Sequence, residues 1–368
     1  MNTLAPQLEQ LDRTYVRYRG RQLLYFGGCD YFRLASHPAI LRATHDGVDQ
    51  YGLNVAASRL TTGNHPLYEK LERALARFFG AESATVVSCG YVTNVVVAQA
   101  LAGHFSHVLI DQFAHSGQVD AALFFDCPVL KFKHRDVEDL ARVLGRCGKH
   151  ARPILLTDGL FAHDGSVAPL KAYLKILPRD AMILVDDAHG AGILGDTGKG
   201  TPELENVSRQ RVIQATTFSK AFGVYGGAIL GANGLRDAIA KRSRLFVGNT
   251  PLPLPLVNAA LCALEILKKD GRRLRQRLSD NTRHVRTALR EAVCEVADTP
   301  GPIVSLNPRN KRETASLQRQ LLTAGIYPPF IRYLGAPKDS YFRFAISSEH
   351  TRDQLDALVS ALSDFGER

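Results

Sequence analysis

Long hydrophobic runs and paired cysteines are both missing from this chain of 368 residues. No uninterrupted apolar stretch approaches the ~20 residues that a membrane-spanning helix needs, so we expect no membrane span and no membrane partner. The six cysteines are scattered and include no Cys-x-x-Cys pair, which argues against a zinc site and against a disulfide framework. We therefore expect reduced thiols and no bound metal.

Export signals, internal repeats and low-complexity tracts are missing as well. The first residues lack the basic start and the apolar centre of a signal peptide, so the expected location is cytoplasmic. A hydrophobic content of 45% and a mean hydropathy of -0.10 are typical of a soluble globular protein with enough apolar residues for a core. The length favours two domains.

An excess of basic residues gives a formal net charge of +10 and raises the question of nucleic-acid binding. The positive residues cluster between Lys268 and Arg277, where their spacing is typical of the polar face of a long helix. We predict a solvated helix face and no nucleic-acid partner. A basic surface would also suit a polyanionic substrate such as an acyl-coenzyme A, and charge does not choose between these.

Helical and strand patterns alternate from about residue 66, which predicts an α/β fold with a mostly parallel central sheet flanked by helices. The predicted strands are 83–88, 108–111, 153–158, 182–186, 212–216 and 227–230. Candidate residues at or just beyond their carboxyl ends are Gly90, His115, Asp158, Asp186, His189 and Lys220. Open parallel sheets bind ligands at this edge.

Lys220 follows the hydroxyl residues Thr217 and Ser219 just beyond one predicted strand, and the strand before it ends in Asp186 and, three residues on, His189. A lysine amine can hold an aldehyde as a Schiff base and later move a proton. Asp186 would keep a pyridine nitrogen protonated, and the His189 imidazole would hydrogen-bond a ring hydroxyl. Singly, these residues would be a surface charge and an ordinary strand end or metal-ligand pair. Together they predict pyridoxal phosphate (PLP).

The phosphate of this cofactor has candidate contacts on two segments. Thr217 and Ser219 offer hydroxyls, and the glycines that follow Lys220 let the backbone approach closely. The strand at 83–88 turns through Gly90 into a helix whose free amides would also hold a phosphate.

The carboxyl-terminal third begins with alternate prolines after Thr250, which resist both helix and central strand and predict a domain break. The predicted units are an N-terminal segment at 1–40, a large cofactor-binding domain at 41–250 and a small α+β domain at 251–368. A long helix is predicted at about 256–292. Thr351 and Gln354 are predicted to cap a final helix whose apolar stripe is Leu355, Leu358, Leu362 and Phe365.

The motifs at 88–94, 186–192 and 217–223 resemble those of the α-oxoamine synthases, fold-type-I PLP enzymes that include 8-amino-7-oxononanoate synthase and 2-amino-3-ketobutyrate ligase. The likeness extends from Tyr25 through the final helix. It implies a PLP-dependent C-acyltransferase that condenses an amino acid with an acyl thioester, of coenzyme A or of an acyl-carrier protein, with loss of carbon dioxide. A homodimer with shared active sites is also implied.

Carried over residue by residue, the resemblance implies the contacts of the cofactor. Lys220 would form the Schiff base, Asp186 would contact the pyridine nitrogen, and His189 would contact the ring hydroxyl. His115 would stack on the ring. The phosphate would be bound by Gly90, Tyr91 and Thr217, and Thr250 would contribute a contact to the site of the partner subunit.

The same resemblance assigns Arg343, Asp30 and Arg59 to substrate binding. The guanidinium of Arg343 would grip the carboxylate of the amino acid. Asp30 lies where the family has Asn-Asp-Tyr-Leu-Gly-Leu, and Arg59 lies in a Ser-Arg-x-x-x-Gly pattern. Without the resemblance, Arg343 and Arg59 would pass for surface charges.

The chain departs from the family mostly on the substrate side. Cys29 replaces an asparagine, Asp158 a glutamate, Ala162 a serine and Tyr68 a histidine, and residues 55–57 replace glycines. These changes leave open a PLP-dependent aminotransferase, aldolase or racemase that uses the same cofactor site. A catalytically idle binding protein is the other alternative.

Overall fold

The computed structural model describes residues 5–292, 296–332 and 340–366. Its strands are β1 (Glu9–Gln10), β2 (Tyr15–Tyr18), β3 (Arg21–Leu24), β4 (Ser83–Val87), β5 (His107–Asp111), β6 (Val129–Phe132), β7 (Pro153–Asp158), β8 (Met182–Asp186), β9 (Val212–Thr217), β10 (Gly227–Gly231), β11 (Ile303–Leu306), β12 (Phe330–Ile331) and β13 (Tyr341–Ala345).

The helices follow the predicted alternation with the strands. They are α1 (Pro38–Tyr51), α2 (Pro66–Phe79), α3 (Tyr91–Ala100), α4 (Ser116–Ala122), α5 (Val137–Gly145), α6 (Leu170–Ile176), α7 (Thr201–Leu204), α8 (Asn233–Arg242), α9 (Arg244–Val247), α10 (Leu254–Glu291), α11 (Lys311–Thr323) and α12 (Arg352–Gly366). Short 3-10 turns lie at Leu34–Ser36, Leu123–Phe125 and Arg209–Arg211.

The described residues form two compact units. The larger comprises His37–Phe161 and Val167–Arg272, and the smaller comprises the chain up to Ser36, Ala162–Ser166 and the chain from Arg273 onward. The division therefore lies inside α10, whereas the sequence predicts a break at the prolines. Pro255 stands in the first turn of α10, where a proline costs no hydrogen bond, so the helix starts within the proline run.

The larger unit contains a seven-stranded sheet in the order β4-β10-β9-β8-β7-β5-β6. The pairs β5 with β6, β5 with β7, β7 with β8 and β8 with β9 are parallel, and β10 is antiparallel to both of its neighbours. The predicted mostly parallel sheet flanked by helices is confirmed. Consecutive parallel strands bring their carboxyl ends to one edge.

Side chains on both faces of this sheet are buried. Ile154 and Leu156 of β7 pack in one apolar cluster, while Leu155 packs in another. This alternation is expected of strands that are covered by helices on both sides. Strand β6 escapes prediction because Val129 and Lys131 are exposed and leave it only a short apolar pattern at the sheet edge.

The smaller unit contains two three-stranded sheets, β1-β2-β3 and β11-β13-β12, together with α11 and α12. The N-terminal segment belongs here because Leu24 exchanges backbone hydrogen bonds with Gly325 and Tyr327. Thr351 and Gln354 cap α12 reciprocally, at 3.0 Å and 3.3 Å, as predicted. The side chain of Phe365 lies outside the described part. The predicted small α+β unit is thus confirmed, although its boundaries differ.

Three features bear on the composition. The described cysteines, Cys29, Cys89, Cys127, Cys147 and Cys262, are free thiols, and Cys294 lies outside the described residues. Lys268, Lys269 and Arg272 are exposed on α10, as expected of a solvated helix face. Within the described ranges, no helix is both long and apolar enough to cross a bilayer.

Candidate active site

The carboxyl edge of the large sheet gathers the residues that were predicted to bind the cofactor. Strand β5 leads into His115, β7 ends in Asp158, and β8 ends in Asp186. Strand β9 ends in Thr217, three residues before Lys220. Because β5, β7, β8 and β9 are consecutive and parallel in the sheet, these side chains share one edge.

Asp186 is held in place by two hydrogen bonds. The Nδ2 atom of Asn94 donates to its Oδ2 atom at 2.7 Å, and the amide of Ala188 donates to Oδ1 at 3.1 Å. Asn94 is fully buried on α3, one turn after Gly90. The sequence places Asn94 in a motif but indicates no role for its amide, since its partner lies 92 residues away along the chain.

The imidazole of His115 is oriented by its position as the N-cap of α4. Its Nδ1 atom accepts a hydrogen bond from the amide of Gly117 at 3.1 Å, so a neutral ring carries its proton on Nε2. The ring of Tyr91 lies edge-on at 6.1 Å. The backbone amide of His115 donates to Asp158 Oδ1 at 3.0 Å, which ties the end of β5 to the end of β7.

Asp158 interacts electrostatically with Asp186 and Lys220. Burial raises its pKa well above the usual range, and the neighbouring carboxylate of Asp186 raises it further. The amide of His115 and the positive charge of Lys220 act in the opposite direction. Lys220 and Asp186 therefore both lie within electrostatic reach of Asp158.

Gly90 and Thr217 meet at the start of α3. A Cβ atom at Gly90 would lie 2.5 Å from Thr217 Cβ and 2.6 Å from its Oγ1 atom, so only glycine fits here. Thr217 Oγ1 also accepts from the amide of Ser219 at 3.1 Å and donates to the carbonyl of Gly226 at 3.0 Å. A helix N-terminus, a threonine and an exposed serine are thus assembled from two segments.

The remaining predicted cofactor residues differ in exposure. His189 is buried, and Lys220 is half-buried. Tyr91 is exposed on the first turn of α3, where its hydroxyl donates to Asp120. Thr250 is exposed between α9 and α10.

Arg343 and Asp30 belong to the smaller unit. Arg343 lies on β13, opposite Ser305. Burial raises the pKa of Tyr25 and of Tyr31, and the guanidinium of Arg343 opposes both shifts, so it lies near these phenols. The carboxylate of Asp30 accepts from the amides at 34 and 35, both at 2.9 Å, and so caps a 3-10 turn. Their substrate contacts stay predictions.

Arg59 is engaged in the interior of the larger unit. Its guanidinium donates to both carboxylate oxygens of Glu72 and lies 4.8 Å from the ring centroid of Tyr68. Only 7% of the Arg59 side chain is exposed. The sequence context alone suggests a surface charge, so this burial is unexpected. The sequence places Glu72 in a predicted helix but does not indicate that it pairs with Arg59. A substrate contact by Arg59 remains a prediction.

The donor set fits PLP. A half-buried amine, an oriented carboxylate and an oriented imidazole lie at one sheet edge, and the N-terminus of α3, where backbone amides can bind a phosphate, adjoins Thr217. Lys220 would hold the aldehyde, Asp186 the pyridine nitrogen and His115 the ring face. The fold and this constellation are those of a fold-type-I PLP enzyme.

Comparison with known proteins agrees with this class. The family model for aminotransferase class I and II matches residues 26–362, and the chain belongs to this family. A curated 8-amino-7-oxononanoate synthase of Trichlorobacter lovleyi is 34% identical over 99% of this chain and 94% of the relative. A second, of Thioalkalivibrio sulfidiphilus, is 35% identical over 93% of this chain and 88% of the relative.

Solved structures lead to the same class. A serine palmitoyltransferase from S. paucimobilis, with PLP and myriocin bound, superposes with a TM-score of 0.92 at 26% identity, covering 99% of this chain and 92% of the other. The predictions of a fold-type-I fold, of a PLP cofactor, of α-oxoamine synthase relatives and of a PLP-dependent C-acyltransferase are confirmed by these findings.

Proposed function

We propose that the protein joins an amino acid to the acyl group of a thioester with loss of carbon dioxide, as the α-oxoamine synthase resemblance implies. The observation that carries this proposal is the similarity to 8-amino-7-oxononanoate synthases over nearly the whole length of both chains. It covers the smaller unit, which bears Arg343, as well as the cofactor edge.

Bound PLP would supply an aldehyde that captures amines and a ring that takes up an electron pair. Lys220 Nζ would hold the cofactor at rest and then carry the proton taken from the α-carbon of the amino acid. Asp186 would keep a proton on the pyridine nitrogen. His115 would cover one face of the ring and, with its Nε2 proton, offer a donor to the substrate. His189 would hydrogen-bond the ring hydroxyl.

The chemistry balances with one proton taken from water. A bond forms between the α-carbon and the acyl carbon, the carbon–sulfur bond of the thioester breaks, and the sulfur leaves as a thiolate that takes this proton to become the thiol. The α-carboxylate leaves as carbon dioxide, and Lys220 returns a proton to the α-carbon. Arg343 would bind the carboxylate of the amino acid through its paired N–H groups before that loss.

A second copy of the chain would complete each site in this proposal. Thr250 is exposed and follows α9 in the larger unit, which suits a residue that contributes to the site of a partner subunit. The acyl donor would be a thioester of coenzyme A or of an acyl-carrier protein.

The decisive experiment supplies the PLP-loaded protein with alanine, glycine or serine and an acyl-coenzyme A, with an acylated carrier protein in parallel. We expect equal release of free thiol and carbon dioxide. Formation of a keto acid without loss of thioester would overturn the proposal in favour of an aminotransferase, the alternative that the changes at Cys29 and Ala162 leave open.

Matched lysine variants separate the site from the rest of the surface. Lys220→Ala should lose the yellow Schiff-base absorbance and the thiol release together. Lys241→Ala, which removes an exposed lysine of α8, should keep both. Retention of the absorbance in Lys220→Ala would assign the cofactor to another amine.

A further inference from the structure

Two carboxyl groups stand side by side at the carboxyl ends of β7 and β8. Asp158 and Asp186 are direct partners in the register of this parallel pair, on strands about 4.8 Å apart, so their side chains leave the same face. Asp158 is only 5% exposed. Asp186 is half-buried. Two neighbouring carboxylates, one of them buried, are costly to ionise together, so Asp158 is expected to retain a proton.

Hydrogen-bond donors are divided unequally between the two. Asp186 accepts from Asn94 Nδ2 and from the amide of Ala188, one donor on each oxygen. Asp158 accepts from the amide of His115 on Oδ1. Because each donor stabilises a carboxylate over the acid, this arrangement favours the charge on Asp186.

The surrounding charges agree with that division. Around Asp158, burial and the carboxylates of Asp186 and Asp111 raise its pKa, while Lys220 and the His115 amide lower it. The net effect is a pKa well above the usual range.

The orientation of the Asn94 side chain is fixed by its partner. A carboxylate only accepts hydrogen bonds, so the side-chain amide must turn its Nδ2 atom toward Asp186.

We propose that Asn94 and Asp158 are positioning residues that reserve a negative charge on Asp186 for the pyridine nitrogen of PLP, Asn94 by donating to that carboxylate and Asp158 by holding a proton beside it. The inference rests on the PLP site of the proposed function but not on the acyl transfer. It gives a role to an aspartate where the resemblance leads one to expect glutamate. The Asp158 carboxylate accepts from the amide of His115 at 3.0 Å.

Variants distinguish this role from simple packing. Asn94→Leu keeps the size of the side chain but removes the donor, and Asn94→Asp replaces the donor with a second acceptor. Asp158→Asn cannot ionise but can still accept from His115, so it imitates a protonated Asp158. Thr216→Val serves as the control, since Thr216 is equally buried on the neighbouring strand and its Oγ1 atom has no hydrogen-bond partner within the described residues.

The experiment measures the dissociation constant of PLP and the pH profile of the visible absorbance in each purified variant. We expect Asn94→Leu to weaken PLP binding by about tenfold, the equivalent of one charge-assisted hydrogen bond, and to shift the absorbance profile. Asn94→Asp should do so at least as strongly. Asp158→Asn and Thr216→Val should keep the wild-type profile. Thermal unfolding of the PLP-free proteins reports any packing defect separately.

Two outcomes would overturn the inference. One is an Asp158→Asn profile that moves as far as that of Asn94→Leu, because Asp158 would then carry charge in the wild type. The other is an Asn94→Leu protein that binds PLP normally with an unchanged profile. Thiol release is not measured here, so a wild type that binds PLP but does not condense its substrates would refute the proposed function alone.

Discussion

A Cβ atom placed on Gly90 would lie 2.5 Å from the Cβ atom of Thr217, which is shorter than the van der Waals contact distance of two non-bonded carbon atoms. The turn after β4 and the end of β9 are therefore in direct contact at the start of α3. Neither segment alone forms the predicted phosphate cradle.

Gly90→Ala should disrupt this contact. Because the new methyl group must displace Thr217, we expect a loss of about 1–3 kcal/mol in the free energy of unfolding and at least about a tenfold loss of PLP affinity. Chemical denaturation and PLP titration check the two effects. Gly145→Ala in α5 is the control, since no atom lies within 4 Å of its added Cβ and helical alanine should be slightly stabilising. Equal behaviour of the two variants would contradict the cradle.

Glu72→Gln should strongly destabilise the protein. The Arg59 and Glu72 side chains are 7% and 3% exposed, so the variant leaves a buried guanidinium without its counter-charge. We expect a loss of about 3–5 kcal/mol in the free energy of unfolding. Glu69→Gln breaks the Glu69–Arg73 pair, which is 52% and 62% exposed, and should cost about 1 kcal/mol or less.

The role of Arg59, as part of the buried ion pair or as a substrate contact, can then be assigned by comparing the stability of a variant with its activity. An Arg59→Met protein that is unfolded or strongly destabilised would agree with the buried pair. A stable Arg59→Met protein with a raised KM for the amino acid would instead support the predicted substrate contact.

Replacement of Arg33 tests a strained backbone position. Arg33 has a φ of 52°, in the left-handed region that favours glycine, and its side chain is buried against Tyr25. Arg33→Gly and Arg33→Ala lose the same side-chain contacts, so their difference reports the backbone. We expect the glycine variant to be the more stable by about 1 kcal/mol in denaturant unfolding. Equal stabilities would show that the left-handed conformation is not retained.

Asp187 should make stability fall with rising pH. Burial raises the pKa of this carboxyl group to about 7, although Thr201 and Gln214 donate to it. The folded protein therefore keeps a proton between about pH 4 and pH 7 that the unfolded chain releases, so the free energy of unfolding decreases across this window.

Asp187→Asn removes the titration while its side chain can still accept from Gln214. Relative to this variant, the wild type should lose melting temperature between about pH 4 and pH 7. A difference between the two proteins that stays constant with pH would contradict the assignment.

Strands β7 and β8 were predicted with their observed bounds, and α10 to within two residues at its start. Strands β7 and β8 are short uninterrupted apolar runs and α10 has helical spacing, and both signals depend only on neighbouring residues. The N-terminal strands and β12 escaped prediction because they are short, and their pairing depends on partners elsewhere in the chain. The compact units divide inside α10 rather than at the prolines, since Pro255 permits a helix start as readily as it interrupts a strand.

The identity of the cofactor was readable from residue types alone. An amine, a carboxylate, an imidazole and a glycine turn follow strand patterns in an order that only a few chemistries require. What could not be read is which side chains hold these groups in place. Asn94 reaches Asp186 across 92 residues, His115 reaches Asp158 across 43, and Arg59 turns inward to Glu72. Such contacts depend on strand order and register, which arise from the packing of the whole sheet rather than from any local pattern.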